Sequence, residues 1–435
     1  KSEEEYIMED AIGSQITDYL IKPVNPKQIL LSLKKNLEKK RLVSEKTTSN
    51  YQQEFRNIGM ILNDKLDHNQ WVDIYRKLIY WELELDKSKD AGMYDILTMQ
   101  KNEANLQFAK FIEQNYIDWL NDDESAPVLS HTLFRRKIMP VIESSEHPVF
   151  FFLIDNLRYD QWKVLAPVMG EFFRVRNEET YNSILPTATQ YSRNAVFAGM
   201  MPSDIQNRHP KLWLNDDEEG GKNMHEEEFL ADQFRRLGKN IKFSYNKITN
   251  LQAGKELAEN VMNLFSNKFN VVVYNFVDML SHARTDMQVI RELAEDESAY
   301  RSITDSWFRH SPLLDAMKKV ASRPCTIIIS TDHGTIRVKE PSRIVGDRNT
   351  NTNLRYKQGK NLNYDRKDVF EVKKPSDAML PRSNLSTSFV FAKQDLFFAY
   401  PNNFNYYVNF YRDTFQHGGI SLEEMIIPFI TLVNR

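Results

Sequence analysis

Three stretches of the chain, HPVFFFLID (147–155), KFNVVVYN (268–275) and CTIIISTDHGT (325–335), carry apolar runs that end abruptly at polar residues. None shows the strict polar alternation of a half-exposed strand. Strands of this kind must be covered on both faces, which requires a largely parallel sheet with helices on either side. LSTSFVFA (385–392) reads as a fourth strand of the same type. In open α/β sheets ligands collect beyond the carboxyl ends of the strands, so the polar residues that stop each run are the first place to look for chemistry.

The rest of the chain has a different texture. From 43 to 140 the pattern is helical and poor in glycine and proline. Apolar residues recur at spacings of three and four in FRNIGMILNDKLDHNQWVDIYRKLIYWELELD and MYDILTMQKNEANLQFAKFIEQNYIDWL. A helical bundle is expected there, with SKDAG (88–92) as a connection between helices. Residues 1–42 read as a turn, a short strand TDYLI, the dipeptide KP, and an amphipathic helix from about Pro26 capped by Asn25. The α/β region then occupies 141–435.

A chain of 435 residues with 41 % hydrophobic content can bury several cores, and two to four domains are expected. The net charge of -3 excludes a wholesale nucleic-acid coat protein but leaves local patches open. The single cysteine, Cys325, excludes an intrachain disulfide framework and fits a reducing compartment. No apolar stretch approaches the 18 or so residues of a membrane span, so no membrane insertion is expected. The opening residues KSEEEYIMED resemble no signal peptide and lack an initiator Met, so the chain is expected to begin inside a longer protein.

Five segments carry the polar residues of interest. They are LIDNLRYD with Asp155 and Arg158, LPTATQYSRNAVFAGMMP with Thr187, Thr189 and Asn194, NFVDMLSHART with Asp278 and His282, STDHGT with Asp332 and His333, and TFQHGGIS with His417. Singly, each has a plain reading. Asp155 can cap the next helix. Asp278 and His282 can be a solvated i,i+4 pair. His417 before two glycines can be a turn residue. As a set, three Asp, three His and a strand-end Thr make a nitrogen and oxygen donor set that suits zinc, and suits two ions better than one. Paired metals serve phosphoryl transfer, and a threonine hydroxyl beside one becomes a nucleophile. Manganese fits such donors as well.

These elements, in this order, resemble the alkaline phosphatase superfamily in its phosphodiesterase and phosphopentomutase branches. There a TxDHG element, a D-x-x-x-H element, a P-x-x-T turn and a late H-G-G recur, and here they read STDHG, Asp278–His282, Pro186–Thr189 and QHGG. The resemblance implies that Asp155, Thr189, Asp332 and His333 hold one Zn2+ and that Asp278, His282 and His417 hold a second. It implies that Thr189 is the nucleophile, with Thr187 a weaker candidate and with Asn194 and Arg158 near the phosphate. Between 190 and 270 there is too little chain for the large cap of a phosphomutase. GSQITDYLIKP resembles the end of a receiver domain, with Lys22 matching the lysine that contacts the acyl phosphate; the phospho-acceptor Asp is absent from this chain. A receiver end (1–42), a helical linker (43–140) and an alkaline-phosphatase-like domain (141–435) together resemble PglZ-domain response regulators of the PorX type, linked to type IX secretion in Bacteroidetes. That resemblance implies a cytoplasmic protein, a phosphodonor histidine kinase, a homodimer, a sigma factor as possible partner, and a nucleotide or oligonucleotide substrate. The segment 337–374 holds 11 basic and 5 acidic residues, which would attract a phosphate backbone, with Tyr356 and Tyr364 available for stacking; a solvated insertion is the competing reading. The competing function is a regulatory binding or dimerisation module stabilised by zinc with little turnover.

Overall fold

The structure is a computed structural model that describes residues 26–88, 91–122, 124–216, 218–347, 350–382 and 386–435. Lys22 and the receiver-like strand lie outside the described residues. Three long helices open the described chain, Pro26–Ile61, His68–Ser88 and Ala91–Asn121. Pro26 stands at the helix start, where its missing N–H costs nothing.

The chain forms two compact units. The smaller takes the described part of 1–65 together with Arg76–Lys101. Tyr51 is its buried anchor, packed on Trp81 at 5.5 Å between ring centroids and donating to Gln100. A buried ion pair, Lys101 to Glu82 at 2.7 Å, closes the same unit. The larger takes Leu66–Tyr75 and Asn102–Arg435.

The larger unit is built on a six-stranded sheet. Its strands include β1 (Val149–Ile154), β2 (Phe173–Asn182), β3 (Phe243–Ile248), β4 (Phe269–Tyr274) and β5 (Thr326–Ser330), completed by a C-terminal strand, Ile426–Asn434. The order across the sheet is β2, C-terminal strand, β5, β1, β4, β3. β5, β1, β4 and β3 run parallel, and the C-terminal strand is antiparallel to both β5 and β2. β1 is buried at every position. Because side chains alternate, Phe151 faces one side, where it meets Phe197 of the helix Thr189–Ala198. Phe150 faces the other side and meets Phe265. Both faces are therefore covered, as the unbroken apolar runs require.

The fourth expected strand lies elsewhere. Ser388–Ala392 sits in a small antiparallel sheet with Val369–Val372 and Tyr356–Gly359. A second small sheet joins Leu396–Ala399, Glu340–Val345 and Asn363–Tyr364. Between them is a core of Ile344, Val369, Val390, Ala392 and Phe398. The basic segment is therefore a folded β element rather than a loose insertion.

That element also corrects the expected phosphate-binding surface. Arg355 is 0 % exposed and makes a two-pronged pair with Glu424, at 3.1 and 2.7 Å. Lys357 is 1 % exposed and donates to the Asn351 carbonyl. Tyr356 is 5 % exposed, wedged against Tyr191, and Tyr364 is half-buried. Two cations and one ring of the proposed patch belong to the interior.

Candidate metal centre

Topology brings the five segments to one edge. β1, β4 and β5 are adjacent and parallel, with Leu153 opposite Ser330 and Ile154 opposite Tyr274. The residues that follow each strand therefore emerge side by side. The Asp155 N–H continues the ladder, donating to the Tyr274 carbonyl. The C-terminal strand is antiparallel, so its entry end lies at the same edge and delivers His417 there. β2 is antiparallel to that strand, so its exit end also lies there and delivers Thr189, the first residue of the helix Thr189–Ala198.

Two clusters result. In the first, Asp155, Asp332 and His333 are all buried and their donor atoms converge. His333 Nε2 lies 3.9 Å from Asp155 Oδ1, 3.8 Å from Asp332 Oδ2 and 3.1 Å from Thr189 Oγ1. In the second, Asp278 and His282 stand one turn apart on the helix Phe276–Asp286, and His417 closes the group. His282 Nε2 is 3.5 Å and His417 Nε2 is 3.7 Å from the Asp278 carboxylate. The His333 and His417 rings stack with centroids 4.2 Å apart, so the clusters share a wall.

The hydrogen bonds fix how the imidazoles are presented. His333 Nδ1 faces the Gly334 carbonyl at 3.1 Å, and His417 Nδ1 faces the Thr187 carbonyl at 3.1 Å. A carbonyl only accepts, so each Nδ1 carries a hydrogen and each Nε2 is the ring nitrogen left to face the cluster. This is the backing that metal-ligating histidines have. Burial, reinforced by His333 and His282, holds His417 well below the usual histidine range, so its ring is neutral. Asp155 Oδ1 is buried with no hydrogen-bond partner, an orphan acceptor facing the cluster. The residues therefore fit a pair of metal ions bound through nitrogen and oxygen.

Sequence reading missed Arg193. It lies one helical turn after Thr189, fully buried, and its guanidinium contacts the Asp155 carboxylate and reaches Asp332 Oδ2 at 3.0 Å. Burial raises Asp332, but Arg193 and His333 override it and pull that carboxyl down to about 2. Burial and the Asp332 and Asp278 carboxylates push Asp155 up against the pull of Arg193. One guanidinium shared by two carboxylates leaves one negative charge over. The spacing of four from Thr189 was the available signal, once 189–198 is taken as a helix.

Asn156 was also passed over. It adopts φ of 65°, a conformation Asn tolerates, and its amide reaches Asp278 Oδ1 at 3.4 Å and Ser281 Oγ at 3.3 Å. The residue after Asp155 thus braces the other cluster.

The remaining candidates stand apart from the donor atoms. Thr187 donates to the Gly419 carbonyl and accepts from the Gly418 N–H, so its hydroxyl clamps the His417 loop. The Arg158 guanidinium is taken up by Asp160 and Glu297 and packs over Phe415. Asn194 donates to the Lys222 carbonyl at 3.0 Å. Neither Arg158 nor Asn194 is directed at Thr189 by these contacts.

Residues 133–432 match the family described as the BREX system PglZ alkaline phosphatase-like domain. Residues 41–120 match the PorX response regulator linker domain. No curated protein sequence matches the chain. Among solved structures, murine ectonucleotide pyrophosphatase/phosphodiesterase 5 is similar at 12 % identity and a TM-score of 0.42, covering 65 % of this chain and 87 % of that one. Phosphonoacetate hydrolase from Sinorhizobium meliloti 1021, bound to phosphonoformate, is similar at 10 % identity and a TM-score of 0.41, covering 66 % and 89 %.

Proposed function

Since the chain belongs to the PglZ alkaline phosphatase-like family and carries a PorX response regulator linker, we propose that it is a response regulator whose effector domain is a zinc-dependent phosphodiesterase with Thr189 as nucleophile. The observation that carries this reading is the position of Thr189 Oγ1. It sits at the first residue of a ten-residue helix, 3.1 Å from His333 Nε2 of the first donor cluster. A helix N-terminus presents unpaired N–H groups and a positive dipole end, which suits an incoming phosphate.

Asp155, Asp332, His333 and Thr189 would hold one ion, and Asp278, His282 and His417 the other. Bound there, the two ions would acidify the threonine hydroxyl and neutralise charge on the phosphoryl oxygens. The chain's own residues do the rest. Thr189 Oγ1 forms a bond to phosphorus as the bond to the leaving alcohol breaks, giving a phospho-threonine ester and a free alcohol. Water then cleaves that ester, restoring the hydroxyl and releasing the phosphate group. Thr187 and Asn156 hold the His417 loop and Asp278 in place while this happens.

A nucleotide or oligonucleotide is the proposed substrate, a histidine kinase the proposed phosphodonor, and control of type IX secretion in the cytoplasm the proposed output. A homodimer and a sigma-factor partner complete the reading. No helix of the described residues is long and apolar enough to cross a membrane.

The test is hydrolysis of a chromogenic phosphodiester and of short oligonucleotides, with zinc content measured in parallel. Thr189→Ala is expected to lose at least about 1000-fold in rate while keeping its fold, as removal of a nucleophile does. Unchanged activity in that variant rejects the assignment. Zinc binding without any turnover in the wild type favours the regulatory-module reading instead.

A further inference from the structure

The two clusters differ in burial, and among the described residues an internal cation is seen in the first alone. Arg193 is fully buried and approaches the Oδ2 atoms of both Asp155 and Asp332. Its other neighbours are Asn275 Oδ1 at 3.4 Å and Glu226 Oε1 at 3.9 Å, and Glu226 is already paired with Lys247 at 2.9 Å. Asp155 Oδ1, on the other side of the same carboxylate, faces His333 Nε2 and has no hydrogen-bond partner. The guanidinium and the donor cluster thus use different oxygens of Asp155 and share Oδ2 of Asp332. Asp278, by contrast, meets His282, His417 and Asn156, and no Lys or Arg pairs with it among the described residues.

We infer that Arg193 is a built-in counter-cation that holds the Asp155–Asp332 pair together without metal and weakens metal binding at that site. The inference rests on the two-metal reading above. Two buried carboxylates with no cation repel each other and are costly to bury. Arg193 removes that cost when no ion is bound. Its charge also leaves a divalent ion facing one net negative charge instead of two, across a short distance in a poorly screened interior. The same side chain therefore acts in opposite directions on metal-free stability and on metal affinity. A cluster that keeps its shape when empty and binds its ion less tightly exchanges that ion more readily.

The experiment titrates zinc into the full chain against a competing chelating dye, for wild type and Arg193→Gln, and records thermal unfolding of both in excess EDTA. Arg193→Gln is expected to bind zinc at one of its two sites at least about 10-fold more tightly, since a poorly screened charge a few ångströms away is worth more than a tenfold change in affinity. Its melting temperature in EDTA is expected to fall. The tightened site is expected to vanish when His333→Ala is added. A variant unfolded in EDTA that folds on zinc addition supports the inference equally. Should Arg193→Gln fold in neither condition, Arg193→Met replaces it. Its flexible apolar side chain fills similar space without the charge, so the same tightening of at least about 10-fold is expected, with no change overturning the inference. Zinc affinity that is unchanged or weaker in Arg193→Gln, with two ions still bound, overturns it too and leaves the two-metal reading standing. No zinc bound by the wild type overturns that reading, and this inference with it.

Discussion

Lys357 is an amine enclosed by protein. Its Nζ donates to the Asn351 carbonyl at 2.9 Å and lies 4.8 Å from the centre of the Tyr400 ring, and burial pulls its pKa down to about 7. An unfolded lysine titrates near 10.4. Between those values the unfolded chain holds a proton that the folded chain has given up, so stability rises as pH goes up from 7 and is lost as pH falls back toward it. Wild type is expected to gain about 2 kcal/mol between pH 7 and pH 9 that Lys357→Met does not gain. Urea unfolding of both proteins at the two pH values checks this, and equal gains would count against a neutral Lys357. The same enclosure explains why a tally of charges over 337–374 misleads. Lysine and arginine look alike in a sequence whether they face water or, like Lys357 and Arg355, a ring or a carboxylate.

At the scale of elements, the loop after β5 has almost no room. A Cβ on Gly334 would lie 2.0 Å from the Glu423 carbonyl oxygen, and the Gly334 N–H donates to the Glu424 carbonyl. The obstruction is backbone of the short helix Leu422–Met425, which leads into the C-terminal strand and cannot swing away as a side chain would. Gly334→Ala is expected to cost about 1–3 kcal/mol, as overpacking does, and to lower zinc affinity by shifting His333. A variant within about 0.5 kcal/mol of wild type in urea unfolding, with normal zinc binding, would show that the loop is looser than it looks. This element-level fit also shows what was legible beforehand. β1, β4 and β5 were readable because each is buried on both faces and stops at a polar residue, and that stop is where Asp155 and Asp332 stand. β2 was not, because FRVRNEETYN is an edge strand with an exposed, charged middle. The C-terminal strand hides a proline, Pro428, which argues against a central strand. Ser388–Ala392 has the apolar texture of a central strand but is buried by its own small core. Arg193 was invisible because its partners, Asp155 and Asp332, lie 38 and 139 residues away in the chain, and only the sheet brings them together.

All seven proposed ligands belong to the larger unit, drawn from five segments between Asp155 and His417. Zinc that binds this arrangement and not the unfolded chain must stabilise the whole unit, not a local loop, because release of the ligands requires the sheet edge itself to come apart. Mass action sets the size: at 100 times the dissociation constant one site adds about 2.7 kcal/mol. For a unit this large, each kcal/mol moves the melting temperature by about 2 °C. Excess EDTA is therefore expected to lower the melting temperature by at least about 5 °C, and re-addition of zinc to restore it. His333→Ala and Asp278→Asn strike different clusters, so each is expected to abolish part of the zinc-dependent shift and the double variant all of it. Calorimetry of the full chain with and without chelator measures this directly. A melting temperature indifferent to EDTA, in protein shown to carry zinc beforehand, would mean that the ions sit somewhere other than this edge of the sheet.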